Sequence, residues 1–488
     1  MASPAPATTL PRALLRWAAL AATILALALG ATDARATLGG VDITTLDARD
    51  PSLVWQPLVR LHKVPPEYDG RGVTVALIDT GVTPSADLGG RLLLRVDFTP
   101  ERDGLDRFGH GTHMAGLIAG DGTASGGLWS GAAPGANLIS LKVASWNGVT
   151  DVTQIIAALH WVVVNKAKYN IRVVNLSYGT DAVQPYLVDP LNRAVERAIE
   201  AGILVVASAG NSGPAAGTIT KPADDPRVLT VGAFDDANTL ISTSHVIPTF
   251  SARGPTQDGL AKPDLVAPGV SIVSLRAPGS VADEFRPLAR HGTEYFKGSG
   301  TSQAAAIVSG IAARVIQASP LLTPDRVKAL LVETANDNLE PLPGAGAGAV
   351  NARDAIRSIL ENNIPPAPPV PRASSGSGPI DASRGTARVY ADLNRDGVAE
   401  LVAGEVDVLG FPFASSIVND PWNATTWAAS PWATIAVETP GSAPTPAGPP
   451  GWPGVGPDPQ SWAARSWGDA GWDARSWGAR SWGTALWN

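Results

Sequence analysis

The stretch Val73-Thr74-Val75-Ala76-Leu77-Ile78-Asp79-Thr80-Gly81 decides the architecture. Its first six residues are almost wholly apolar or β-branched, with no polar face to turn toward water. Such a run suits a strand covered on both sides. It stops on a carboxylate and, two residues later, a glycine. Short apolar runs of the same kind recur at 138–143, 173–177, 203–207 and 228–231. Helical patterns lie between them. Over 151–168, Ile155, Ile156, Leu159, Val162 and Val163 fall on one helical face. Leu191, Val195, Ala198 and Ile199 repeat that spacing before an Ala201-Gly202 stop. Alternating β and α elements predict a doubly wound α/β domain, with a mostly parallel sheet and helices on both faces. In such sheets functional side chains gather at the carboxyl ends of the strands, which is where Asp79 stands.

At 488 residues the chain exceeds one compact core, so one large domain with appended segments is expected. The net charge is −7 and no long run of Lys and Arg occurs, so a nucleic-acid partner has no electrostatic footprint here. The absence of cysteine excludes disulfides, thiolate metal sites and a cysteine nucleophile. Near the N-terminus, Arg12 and Arg16 precede an apolar run over 17–29, and Ala34-Arg35-Ala36 supplies a small-x-small site. This pattern predicts a signal peptide over 1–36, cleaved after Ala36, and a secreted protein. The apolar run is short for a bilayer span and no later stretch is long enough, so no membrane span is expected after signal removal.

Three further stretches carry chemistry. His110 opens His110-Gly111-Thr112-His113-Met114-Ala115-Gly116 ahead of a small-residue helical pattern. A histidine acts as a general base when a carboxylate orients one ring nitrogen. The spacing of His110 and His113 admits a metal pair, but no zincin Glu or third ligand is near, and His113 reads as structural. Ser302 lies in Gly298-Ser299-Gly300-Thr301-Ser302-Gln303-Ala304-Ala305-Ala306. At a helix N-terminus, free N–H groups and the positive dipole end favour an oxyanion, although such a serine is also an ordinary N-cap. Asn211, in Ala207-Ser208-Ala209-Gly210-Asn211-Ser212-Gly213, follows an apolar strand and could donate an amide hydrogen bond or merely turn a loop.

The order Asp79, His110, Asn211, Ser302, each within its own run, resembles the subtilisin-like serine proteases (subtilases) over about residues 55–360. Asn175-Leu176-Ser177-Tyr178-Gly179 and Lys262-Pro263-Asp264-Leu265-Val266-Ala267-Pro268-Gly269 extend the resemblance. It implies a serine endopeptidase acting on polypeptides through an acyl-enzyme. Ser302 would be nucleophile, His110 base, Asp79 its orienting carboxylate and Asn211 an oxyanion donor, roles carried over from subtilisin, the reference case for this order. It further implies substrate-backbone binding by Ser177, Tyr178, Gly179, Ala209 and Gly210, and no cofactor for the chemistry. The chain departs from the family where Gln303 follows the serine in place of Met, and where only 42 residues separate Ala36 from Asp79, too few for a folding prodomain.

A structural calcium ion is a further expectation. Asp87 matches a calcium-binding position of many relatives, although the 120–131 loop does not match theirs. Asp392, Asn394 and Asp396 alternate as oxygen ligands ahead of Gly397, but Ala403 holds the twelfth position, where an EF-hand needs Glu. The expected organisation is a signal over 1–36, an N-terminal extension over 37–54 and the catalytic domain over 55–360. A Pro/Ser/Gly linker follows over 361–380, then a small segment of unassigned fold over 381–420 and a tail over 421–488. In that tail Trp422, Trp427, Trp432, Trp452, Trp462, Trp467, Trp472, Trp477, Trp482 and Trp487 are separated by multiples of five. Such a repeat reads either as an aromatic adhesive for the cell envelope or other copies, or as a low-complexity extension.

Overall fold

Successive side chains of the strand Thr74–Asp79 (β1) point to opposite faces of the sheet, and each face has its own core. Val75 and Leu77 join one cluster, Ala76 and Ile78 the other. The computed structural model describes residues 37–38, 41–42, 55–237, 244–336, 342–386, 388–394, 396–438 and 456–457. Residues 37–38 and 41–42 form a two-residue antiparallel pairing. The expected signal peptide and most of the tail lie outside the described residues.

The remaining sheet strands are Leu92–Asp97 (β2), Asn137–Lys142 (β3), Ile171–Leu176 (β4), Leu204–Ser208 (β5), Leu229–Phe234 (β6) and Leu265–Pro268 (β7). With β1 they pair in parallel in the order β2-β3-β1-β4-β5-β6-β7. The doubly wound, mostly parallel sheet expected from the sequence is therefore present. On the face of Val75 and Leu77 pack His110–Ala119 (α1), Thr301–Ala318 (α4), Pro324–Glu333 (α5) and Ala352–Leu360 (α6). On the other face lie Val152–Tyr169 (α2) and Pro190–Glu200 (α3).

The helix starts have local causes. Asp151 caps α2 by accepting from Thr153 N–H, and Gln154 completes a capping box. Asp189 caps α3, with Pro190 at its first position. The many alanines of α4 let it lie against α1. A Cβ on Gly310 would come within 2.9 Å of the Ile118 carbonyl and 2.6 Å of the Ala132 methyl, so glycine is needed at that crossing.

Residues beyond 360 are laid on the second face. Ser374 N–H donates to both Glu196 oxygens at 2.9 and 2.8 Å, and Gly378 N–H donates to the Val188 carbonyl at 2.7 Å. A stretch whose composition reads as a spacer thus runs bonded along α3. Ile380, Val389, Val402, Val408, Phe413 and Val418 of the following segment enter the same core as α2 and α3. Arg384 is almost fully buried, and its Nε meets Asp151 Oδ2 at 2.7 Å.

The first three repeat tryptophans are part of this body. Trp427 and Trp432 contact Phe98, and Trp422 stacks on His160 with ring centres 4.9 Å apart. The segment then forms an antiparallel edge strand, Ala436–Glu438, against β2. Glu438 pairs with Arg95 at 3.1 Å, both buried. Among the described residues, no helix is long and apolar enough to cross a membrane.

Candidate active site

Because β1, β4 and β5 run parallel, Asp79, the 177–179 segment and the 209–211 segment leave the sheet at the same edge. The N-terminus of α4 is tied to two of those exits. Ser177 Oγ donates to the Ser302 carbonyl at 3.4 Å, and Gly210 N–H donates to Thr301 Oγ1 at 3.3 Å. Strand ends and helix starts therefore bring Asp79, His110, Asn211 and Ser302 to one edge of the sheet.

Asp79 Oδ1 lies 2.8 Å from His110 Nδ1, and both side chains are 1% exposed. Thr80 N–H donates to the same oxygen at 2.8 Å. Burial pushes the Asp79 carboxyl upward, while the adjacent imidazole and the Thr80 N–H pull it back down. The contact requires glycine after His110. A Cβ on Gly111 would overlap the Gly81 carbonyl and crowd Asp79 Oδ1 at 3.1 Å. With Nδ1 engaged by Asp79, Nε2 is the ring nitrogen left to exchange a proton.

Ser302 sits in the first turn of α4, 5% exposed. Helix N–H groups there lack intrahelical acceptors. Asn211 takes one of them: its Oδ1 accepts from Thr301 N–H and Thr301 Oγ1, each at 2.9 Å. This fixes which way the amide faces. Its oxygen is engaged with Thr301, so Nδ2 is the end able to donate a hydrogen bond.

Of the expected substrate-binding residues, Ser177 and Gly179 flank Tyr178, whose buried hydroxyl is pushed up by burial and by nearby Asp151. The next residue, Thr180, exchanges backbone hydrogen bonds with Lys221 at 2.9 and 3.0 Å. Ala209 carbonyl accepts from Thr220 N–H at 3.1 Å, and the Gly210 carbonyl accepts from Ala252 N–H at 3.0 Å. Thr220 stands between the two segments. A Cβ on Gly179 would overlap its Oγ1, and one on Gly210 would lie 2.8 Å from its Cγ2.

Asp106 carries no signature in the sequence beyond lying four residues before His110, yet it organises the site. Its Oδ1 accepts from Thr80 Oγ1 at 2.8 Å and Gly109 N–H at 2.6 Å. Its Oδ2 accepts from Thr112 N–H and Oγ1, each at 2.7 Å. Thr80 Oγ1 in turn accepts from Gly111 N–H at 2.8 Å. Gly109 has no side chain with which to cap α1, so Asp106 and Thr80 satisfy the first-turn donors around His110.

His113 faces the hairpin formed by Ile272–Leu275 and Tyr295–Gly298, with Nε2 at 3.2 and 3.1 Å from the carbonyls of Ile272 and Phe296. Burial pushes it down to about 3, so it is neutral and donates to those carbonyls. Among the described residues, no group of three or more His, Cys, Asp or Glu side chains could hold a metal ion.

Asp87 carboxylate oxygens accept from Ala124 N–H and the Tyr295 hydroxyl, each at 2.6 Å. In the second candidate loop, Asp392 oxygens accept from Asp396 N–H at 3.0 Å and Gly397 N–H at 2.9 Å. Asn394 Oδ1 accepts from Asp396 N–H at 2.9 Å, and Asp396 Oδ1 accepts from Val398 N–H at 2.8 Å. These bonds close the loop on itself.

Comparison with known proteins places this arrangement. A family model described as "Subtilase family" matches residues 70–351. Serine protease AprX of Bacillus subtilis (strain 168) is 44% identical over 298 residues, covering 59% of this chain and 66% of that protein. The match thus spans just under two thirds of that relative's length. Subtilisin Savinase of Lederbergia lenta is 36% identical over 289 residues, covering 59% of this chain and 92% of that protein. A solved structure described as proteases from Pseudoalteromonas arctica PAMC 21717 shares the fold, with a TM-score of 0.51 and 24% identity, covering 64% of this chain and 97% of that one.

Proposed function

The chain belongs to the subtilase family, and we propose that it is an exported serine endopeptidase cutting polypeptides with Ser302, His110, Asp79 and Asn211. The observation that carries this reading is the joint one at the edge of the sheet. A buried Asp79–His110 pair, a serine in a helix's first turn, and an amide whose oxygen is held by Thr301 all meet there.

In the proposed reaction, Ser302 Oγ attacks the scissile carbonyl while His110 Nε2 takes its proton. Asp79 holds the other ring nitrogen and stabilises the imidazolium. The oxyanion accepts from Asn211 Nδ2 and the Ser302 N–H. His110 returns the proton to the leaving amine, and water then releases the acyl group by the same steps in reverse. Ser177, Tyr178, Gly179, Ala209 and Gly210 border the path of an extended substrate. The experiment is reaction with a serine-directed fluorophosphonate, followed by mapping of the adduct and comparison with Ser302→Ala.

Export is proposed on the n-region, apolar run and small-x-small site over 12–36, and N-terminal sequencing of secreted protein checks it. Structural calcium is proposed for the 392–400 loop, on its alternating oxygen ligands, and for Asp87, on the family resemblance; an unchanged Tm in chelator would dismiss both. For the tail, we propose contact with polypeptide surfaces over envelope glycans, because Trp422, Trp427 and Trp432 pack on protein aromatic rings. Retention of the full chain, but not of one ending at Pro457, on purified cell-wall polysaccharide would overturn that choice.

A further inference from the structure

Between α2 and the C-terminal segment lies a cavity of about 400 Å³, lined by His160, Phe411, Ile417, Trp422 and Trp427, with Asp420 at its rim. Its volume suits a planar organic group. Of its lining, Phe411 is 41% and Ile417 39% exposed, and the two tryptophans are half-buried. Nothing in the catalytic chemistry uses it.

We propose that this groove seats an Arg-Ser-Trp unit of the chain's own C-terminal repeat: residues 465–467, 475–477 or 480–482. The inference rests on the reading of the tail as a protein-contacting segment and gives that segment a seat. Three observations converge on it. First, the groove's aromatic wall includes repeat tryptophans, Trp422 and Trp427, five residues apart, beside His160 and Phe411, so it offers the ring-edge and ring-face contacts that a further indole takes. Second, in an extended segment side chains two apart project to the same side. The Trp and Arg of Arg-Ser-Trp then face the groove together, the indole entering while the guanidinium reaches the exposed Asp420 carboxylate. Third, the chain can reach. Gly456–Pro457 pairs with Val389–Tyr390 of the same C-terminal segment, and the 7, 17 and 22 residues that lead from 458 to the three units extend to at most about 25, 60 and 80 Å.

The chain has no cysteine, which permits a clean test in full-length Ser302→Ala protein. Ser416→Cys places a thiol on the groove lining; Ser466→Cys, Ser476→Cys or Ser481→Cys, one at a time, places its partner beside a tail tryptophan. Thr123→Cys, an exposed position outside the groove lining, serves as the control site. Under mild oxidation at high dilution, at least one tail position should form an intrachain disulfide with Ser416→Cys about tenfold faster than with Thr123→Cys. Replacing Trp467, Trp477 and Trp482 with Ala should remove that excess. Equal rates at the two sites, or an excess that survives loss of the tryptophans, would overturn the assignment. Disulfide-linked dimers in place of the intrachain product would give the seat to a second copy's tail and overturn it as stated. The polysaccharide experiment fails or succeeds independently of these rates.

Discussion

Replacing Arg384 with Met tests whether the residues beyond 380 are part of the catalytic body. The Arg384 guanidinium reaches Asp151 Oδ2 at 2.7 Å, the Gly404 carbonyl at 2.8 Å and the Val406 carbonyl at 2.5 Å, with Asp151 and Arg384 each 1% exposed. Met fills much of the same space but leaves the Asp151 carboxylate buried without its cation. Removing one partner of a buried pair costs about 3–5 kcal/mol. The loss should fall toward the lower end, because Thr153 N–H and Oγ1 still donate to Asp151 at 2.9 and 2.7 Å. Unfolding entropy near 60 °C is about 2.1 cal/mol/K per residue, so roughly 380 residues unfolding together give about 0.8 kcal/mol/K. A loss of about 3–5 kcal/mol then lowers Tm by about 4–6 °C. Calorimetry at fixed scan rate is the assay, in the Ser302→Ala background so that self-digestion does not turn it into a rate measurement. Adding Asp151→Asn removes the orphaned charge and should restore more than half of the loss. A Tm within about 1 °C of the parent for Arg384→Met would refute the reasoning.

Asp106→Asn places an amide donor opposite the Thr112 or Gly109 donors; we expect kcat on a peptide substrate to fall roughly ten- to hundredfold with KM changed less than about threefold, the split expected of a positioning residue. A KM effect alone would argue against it. His160, packed between Trp422 and Trp427, is pushed down to about 4 by burial, from an ordinary value near 6.5. Between those pH values the unfolded chain binds a proton that the folded chain does not, so stability falls as pH drops through the window. His160→Asn should flatten that part of the Tm–pH curve, and an unchanged slope would contradict the assignment. Gln303 is fully buried with neither amide atom hydrogen-bonded among the described residues. Gln303→Met should therefore raise stability by about 1–3 kcal/mol, read as a higher urea midpoint, while a lower midpoint would mean the amide has a partner.

Five of the seven parallel strands were legible as short apolar runs: β1, β3, β4, β5 and β6 overlap the marked stretches, whereas β2, interrupted by Arg95, and the four-residue β7 were not marked. The edge strand at Ala436–Glu438 was not, since three residues carry no period and their partner, β2, lies some 340 positions earlier in the chain. Arg384 was equally hidden: its meaning comes from Asp151, 233 residues away. Composition also misleads over 361–380. Pro, Ser and Gly rule out a helix there, but they do not keep the backbone from donating to Glu196 and Val188. For the site, the runs around Asp79, His110, Asn211 and Ser302 stand out as motifs. What they cannot convey is the Asp106 and Thr80 scaffold around His110, or that Thr301 sets the direction of the Asn211 amide. The period of five in the tryptophans was visible; that its first three members pack on Phe98 and His160 depends on α2 and β2 being in place to receive them.

The central claim is that Ser302 is the nucleophile. Purified protein treated with a fluorophosphonate and digested for mass spectrometry should carry the adduct on Ser302 alone, and Ser302→Ala should take no label and leave casein uncut. Labelling at another residue, or casein turnover by Ser302→Ala equal to that of the parent, would contradict it.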